Sequence, residues 1–67
     1  MIDITVNDKN ISAAEEITLA VLLDSRKINR ASVVVELNNR IVKRELFESQ
    51  ILQNGDRITI LNFVGGG

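Results

Sequence analysis

Few groups in this chain could carry covalent chemistry. It contains no Cys and no His, so the usual nucleophile-base pairs are missing, and a metal site built from thiolate or imidazole cannot form. Carboxylates are present, but Glu15 and Glu16 are sequence neighbours at the start of an expected helix and Asp56 falls in an expected turn. Each therefore reads as solvated surface rather than as one half of an acid-base pair. The serines and threonines are scattered through strands, caps and loops without a base beside them, which favours structural roles. No catalytic residue and no metal ligand is expected, and the chain reads as something other than an autonomous enzyme.

The glycines are distributed differently. Three of the four are Gly65, Gly66 and Gly67, directly behind an expected strand. Without side chains, such a segment can lie extended in a channel too narrow for other residues and carry a terminal carboxylate to an active site on another protein. That carboxylate, with a reference pKa of about 3.3–3.7, is ionised at neutral pH and a poor electrophile, so acyl transfer from it needs prior activation by a partner. The alternative reading is a frayed terminus without a role.

Composition limits what can stand behind this arm. At 67 residues, 45% hydrophobic and 25% charged, the chain is apolar enough for a globular domain but close to the size at which packing barely offsets chain entropy. Eight basic against nine acidic residues give a net charge of -1, so no strong field draws it to nucleic acid or an anionic membrane. Two Phe are its only aromatics, a poor basis for base stacking. Apolar runs such as 19–23 are far too short to span a bilayer, and Asp3 and Thr5 interrupt the stretch where a signal peptide would be apolar. A cytoplasmic protein is expected.

The elements that must position the arm follow from periodicity. Ile2, Ile4 and Val6 alternate with Asp3, Thr5 and Asn7, predicting a half-buried strand, and the polar cluster 7–10 turns it back into a short strand over 11–13. The spacing of Leu19, Leu22, Leu23 and Arg26 predicts one helix over 15–29. Thr18 is its N-cap, Ile17 and Leu22 form a hydrophobic staple, and acidic and basic residues sit at the ends that the helix dipole favours. Val33, Val35 and Leu37 share a strand face; Asn38 and Asn39 turn the chain, and Ile41 and Val42 return it. A short helical turn is expected within 45–52, then a turn at Asn54, Gly55 and Asp56, then a last strand from Arg57 to about Phe63. A lone helix among these strands excludes a doubly wound fold. What remains is an α+β, β-grasp (ubiquitin-like) fold, a mixed four- to five-stranded sheet with one main helix across one face. The domain is expected over 1–64, with a flexible glycine tail at 65–67.

At this level the chain resembles the ubiquitin-like sulfur carriers, specifically the ThiS family of thiamine biosynthesis. The resemblance covers nearly the whole length: NNRIVKR at 38–44 is similar to the family's N-G-x-I-V-x-R hairpin, NGDRI at 54–58 to its D-G-D-x-I turn, and FVGGG at 63–67 to its end. Asn39 stands where glycine is common, Lys43 where proline is common and Asn54 where aspartate is common, departures that bear on local turn geometry and leave the terminus untouched. The resemblance implies that an E1-like (ThiF-like) adenylyltransferase uses ATP to convert the Gly67 carboxylate to an acyl-adenylate. A sulfur donor system then replaces the adenylate to give a thiocarboxylate, and the sulfur passes to thiazole synthase (ThiG-like). Gly65 and Gly66 would thread the arm. ATP would bind the partner, and this chain would hold no cofactor. Rival readings are a carrier like the small subunit of molybdopterin synthase, a ubiquitin-like modifier, or a β-grasp interaction module with an inert tail.

A partner also needs a surface. In the last strand Ile58 and Ile60 share one parity and Leu61 and Phe63 take the other. Regular pairing would put Leu61 and Phe63, with Val34, in an exposed apolar patch on the sheet face away from the helix. The alternatives are a bulge that turns Phe63 inward, or a scattered exposed apolar residue.

Overall fold

The computed structural model of this chain describes residues 1–62. Two strands, β1 (Ile2–Val6) and β2 (Lys9–Ala13), form the first hairpin. Asn7 and Asp8 make its two-residue turn with φ of 50° and 69°, a left-handed pair that Asn and Asp tolerate. Lys9 and Asn10 therefore already belong to β2, which is longer than the polar cluster at 7–10 predicts. Helix α1 (Leu19–Ser25) is followed by a 3-10 turn (Arg30–Ser32), then β3 (Val33–Leu37) and β4 (Arg40–Val42), a second 3-10 turn (Arg44–Leu46), and β5 (Arg57–Asn62). The sheet has five strands in the order β2-β1-β5-β3-β4. All neighbours are antiparallel except β1 and β5, which run parallel. This is the β-grasp architecture that the sequence predicts.

The helix is shorter than the expected 15–29. Glu16 has φ 68° and Lys27 has φ 60°, so the backbone leaves the right-handed helical region before Thr18 and after Arg26. Glu15 and Glu16 lie in a separate turn, and Arg26 is an exposed C-cap rather than part of the apolar face. The stop is a Schellman motif built on lysine: the Ile28 N–H donates to Leu23 O at 2.9 Å and the Lys27 N–H to Asp24 O at 3.0 Å. Thr18 caps the other end, its Oγ1 accepting from the Val21 N–H at 3.2 Å.

Helix α1 is also closed by a distant segment. The Leu19 N–H donates to Gln50 O at 2.8 Å and the Ala20 N–H to Phe47 O at 2.9 Å. Together with Thr18 these satisfy the first-turn donors that a helix start leaves open. The same segment buries Phe47 at 1% exposure, the largest fully buried side chain among the described residues. It joins Ile4, Leu19, Leu23, Val35, Leu52 and Ile58 between helix and sheet. Ile17 packs against this core, and Leu22 is within it. The expected helical turn within 45–52 is the 3-10 turn, starting one residue earlier.

Candidate functional site

The glycines and Phe63 lie outside the described residues, but the strand that leads to them, β5, sits at the centre of the sheet with β1 on one side and β3 on the other. Its entry is fixed by short polar side chains. The Asn38 side-chain oxygen accepts from the Arg57 N–H at 2.9 Å, its main-chain N–H donates to Arg57 O at 2.8 Å, and its Nδ2 donates to Asp56 Oδ1 at 3.1 Å. On the β1 side, Asn54 Oδ1 accepts from the Asp3 N–H at 2.8 Å and the Gly55 N–H donates to Asp3 O at 2.8 Å. Gly55 has φ 89° with open space around its Cα, so glycine is required there for backbone conformation and not for room. Asp56 Oδ2 accepts from the Gln53 N–H at 2.7 Å, which makes this carboxylate a turn element, as the sequence indicates.

At the exit of β5 a different residue takes over. The parallel partner β1 ends at Val6, paired with Ile58. Beyond it, Asn7 donates its main-chain N–H to Ile58 O at 2.9 Å, and its side chain reaches Ile60: Oδ1 accepts from the Ile60 N–H at 2.7 Å and Nδ2 donates to Ile60 O at 3.3 Å. Sequence patterning marks Asn7 only as a turn residue, because its partner lies 53 positions away.

The two faces of β5 separate as the parity predicts. Ile58 and Ile60 are buried against the core, and Leu61 is 49% exposed on the opposite face. Pairing with β3 runs without interruption from Leu37 opposite Ile58 to Val33 opposite Asn62, so no bulge occurs in the described part of the strand. Leu61 lies opposite Val34, which is half-buried on the same face. Phe63, the third residue of the expected patch, falls outside the described residues. The structure adds Ile41: it pairs with Glu36, shares the outer face with Val34, and is 68% exposed. Val34 and Ile41 are diagonal neighbours across the β3–β4 hairpin, close enough for side chains to touch. The rest of the outer face is polar, with Asp3, Thr5, Asn10, Ser12, Glu36 and Thr59 by register. Val34, Ile41 and Leu61 thus form a small apolar group on an otherwise polar face.

The remaining charged groups do not converge on this region. Glu15 and Glu16 are exposed, and among the described residues no three His, Cys, Asp or Glu gather to hold a metal. The best-formed ion cluster is elsewhere, where Arg30 Nη2 meets Asp24 Oδ2 at 2.8 Å and Arg30 Nη1 meets Glu48 Oε2 at 3.0 Å. Hydrogen bonding from Arg30 holds the Asp24 carboxyl below its usual range, and both carboxylates push the guanidinium up. This cluster ties the end of α1 to the segment that closes its start. No helix among the described residues is long and apolar enough to cross a membrane.

Comparison with known proteins agrees with this architecture. The model of the ThiS family matches residues 2–67. The sulfur carrier protein ThiS of Escherichia coli (strain K12) is 31% identical over 64 residues, covering 96% of this chain and 97% of that protein. An uncharacterised protein, ycf40, of Pyropia yezoensis is 33% identical over 66 residues, covering 98% and 93%. Among solved structures, the crystal structure of the thiamine biosynthesis protein ThiS from Geobacter metallireducens superposes with a TM-score of 0.84 at 36% identity, covering 98% of this chain and all of that one. With one helix on a five-stranded mixed sheet and a family match running through the glycines, this chain belongs to the ThiS family of small sulfur carriers.

Proposed function

We propose that this chain carries sulfur on its Gly67 carboxyl group for construction of the thiazole ring of thiamine. The observation that carries the reading is the ThiS family match over 2–67, which includes the three glycines. Chemistry supports it independently. A sulfur carrier without cysteine cannot hold its cargo on a side-chain thiol, and the chain has none. In the proposed sequence an E1-like, ThiF-like adenylyltransferase directs a carboxylate oxygen of Gly67 onto the α-phosphorus of ATP, expelling pyrophosphate. Sulfur at the oxidation level of sulfide, supplied by a donor system, then attacks the acyl carbon and expels AMP, leaving a thiocarboxylate for a ThiG-like thiazole synthase. ATP belongs to the activating partner, and the carrier is a co-substrate rather than a catalyst. In this reading the cycle runs in the cytoplasm, where ATP is available to the activating partner.

In this reading the domain at 1–64 is a handle. Leu61, Val34 and Phe63, joined by Ile41, meet the activating partner, while Gly65 and Gly66 thread its channel because a side chain there would obstruct it. The test is intact-mass measurement after incubation with ATP, an activating enzyme and a sulfur donor. Exchange of one carboxylate oxygen for sulfur is expected in the full chain and not in a chain lacking Gly67. An unchanged mass under conditions that charge a known carrier, or sulfur carried by the truncated chain, defeats the proposal.

A further inference from the structure

We infer that Asn7 is a positioning residue for the glycine arm, acting as a side-chain extension of β1 that holds the exit of β5 in line. The inference rests on the sulfur-carrier reading above for its functional half and on hydrogen-bond geometry for its structural half.

The geometry follows from strand alternation. Ile60 directs both its main-chain groups towards the β1 side, since its N–H and its C=O are each engaged by Asn7. Thr59 and Leu61, one residue either side, direct theirs towards β3. Continued as a regular parallel strand, β1 would offer the C=O of residue 7 to the Ile60 N–H and the N–H of residue 9 to the Ile60 O, but the chain turns at Asn7 with φ 50°. The carboxamide provides the same pair of groups, one acceptor and one donor in a plane, as a peptide unit does. Its orientation is fixed by the partners, because the Ile60 N–H at 2.7 Å can only face an oxygen. A left-handed backbone and a planar amide are needed at the same position, and of the twenty residues Asn suits both.

The consequence is mechanical. With the clamp, β5 is held from both sides as far as Ile60; without it, two-sided support ends at Ile58. At about 3.3 Å of rise per residue, losing it moves the pivot of the arm back by about 7 Å. Reacting atoms must meet within about 3–3.5 Å, so a shift of this size spreads the arm over many unproductive directions. Docking of the outer apolar face does not depend on that pivot. Loss of the clamp is therefore expected in the turnover of the bound complex and not in its formation.

Two variants separate the clamp from the turn. Asn7→Gly keeps the left-handed backbone and the main-chain bond to Ile58 but removes both bonds to Ile60. Asp8→Gly introduces the same loosening at the other left-handed position of the hairpin, removes the long, exposed Asp8–Arg57 ion pair at 3.7 Å, which contributes little, and leaves the clamp in place. In amide hydrogen exchange, Ile60 is expected to exchange about tenfold or more faster in Asn7→Gly than in Asp8→Gly, with Val35 alike in both. In adenylation by an E1-like enzyme, Asn7→Gly is expected to lower kcat by about three- to tenfold with KM for the carrier unchanged, and Asp8→Gly to behave as wild type. Unchanged exchange at Ile60 overturns the clamp. Wild-type kcat for Asn7→Gly, or a rise in KM alone, overturns the positioning role. If the wild-type chain itself is never adenylated, the sulfur-carrier reading fails and the positioning role with it, while the exchange measurement still decides the clamp.

Discussion

The two faces of this sheet use the same residue types to opposite ends. On the helix side Ile4, Val35 and Ile58 are enclosed by α1 and by Phe47 and Leu52 from the irregular segment before β5. On the outer side half-buried Val34 and exposed Ile41 and Leu61 stand among Thr, Asp, Glu, Asn, Ser and Arg57, with none of the described elements packed over that face. The contrast separates apolar residues that make the domain from apolar residues that the domain displays. Val21, Leu46 and Ile51 are as exposed as Leu61 but lie apart from this face; what distinguishes Val34, Ile41 and Leu61 is that register gathers them on one face of a chain with little burial to spare.

The largest expected effect comes from breaking the inner side. Phe47→Ala removes a side chain that closes both the core and the start of α1, a change that typically costs about 3–5 kcal/mol. A domain of this size has about 3–10 kcal/mol in total. Urea or thermal unfolding followed by circular dichroism should show a variant that is largely unfolded or melts far below wild type; a melt within a few degrees of wild type would mean that the loop contributes little to the core. Leu61→Asp tests the outer side. It should cost about 1 kcal/mol or less in stability, as surface changes do, yet lower carrier adenylation by about tenfold or more, as loss of a central apolar contact in an interface does. Normal adenylation of the folded variant would remove Leu61 from the partner surface. The smallest effect sharpens the boundary between the faces at the end of β4. Lys43 has φ -66° and ψ 144°, values that proline adopts without strain, and by strand alternation its N–H faces away from β3. Lys43→Pro should stabilise the domain by about 0.4–1 kcal/mol through the unfolded state, visible as a raised urea midpoint with unchanged slope. Destabilisation would show that this N–H has a partner after all.

How much of this was legible in the sequence depends on the range over which each feature is determined. Strict alternation at Ile2, Ile4 and Val6 and the parity of Ile58 and Ile60 against Leu61 are local, and both led to the observed sheet and its two faces. Thr18 as N-cap is local too. The ends of α1 were misjudged because its limits are set by left-handed Glu16 and Lys27, residue types that do not announce that conformation. Phe47 sits where no period operates, so its burial could not be read from spacing. Ile41 joined the outer patch only through the register of β3 and β4. Asn7 looked like an ordinary turn residue, its second task being assigned by a strand at the other end of the chain. The departures at Asn39 and Lys43 proved benign, since φ is 72° at the first, which Asn accepts, and proline-like at the second.

The central position of β5 has one more consequence, concerning the order of synthesis. The two hairpins, β1–β2 and β3–β4, are complete long before residue 57 is made, yet they do not touch each other in the sheet; each faces β5 across an open edge. A nascent chain halted before that point exposes two unpaired strand edges, β1 and β3, which are sticky surfaces and targets for proteolysis. Insertion of the final strand closes both at once. Seating β5 therefore joins the two hairpins into one sheet in a single step, and the edges left afterwards are those of β2 and β4.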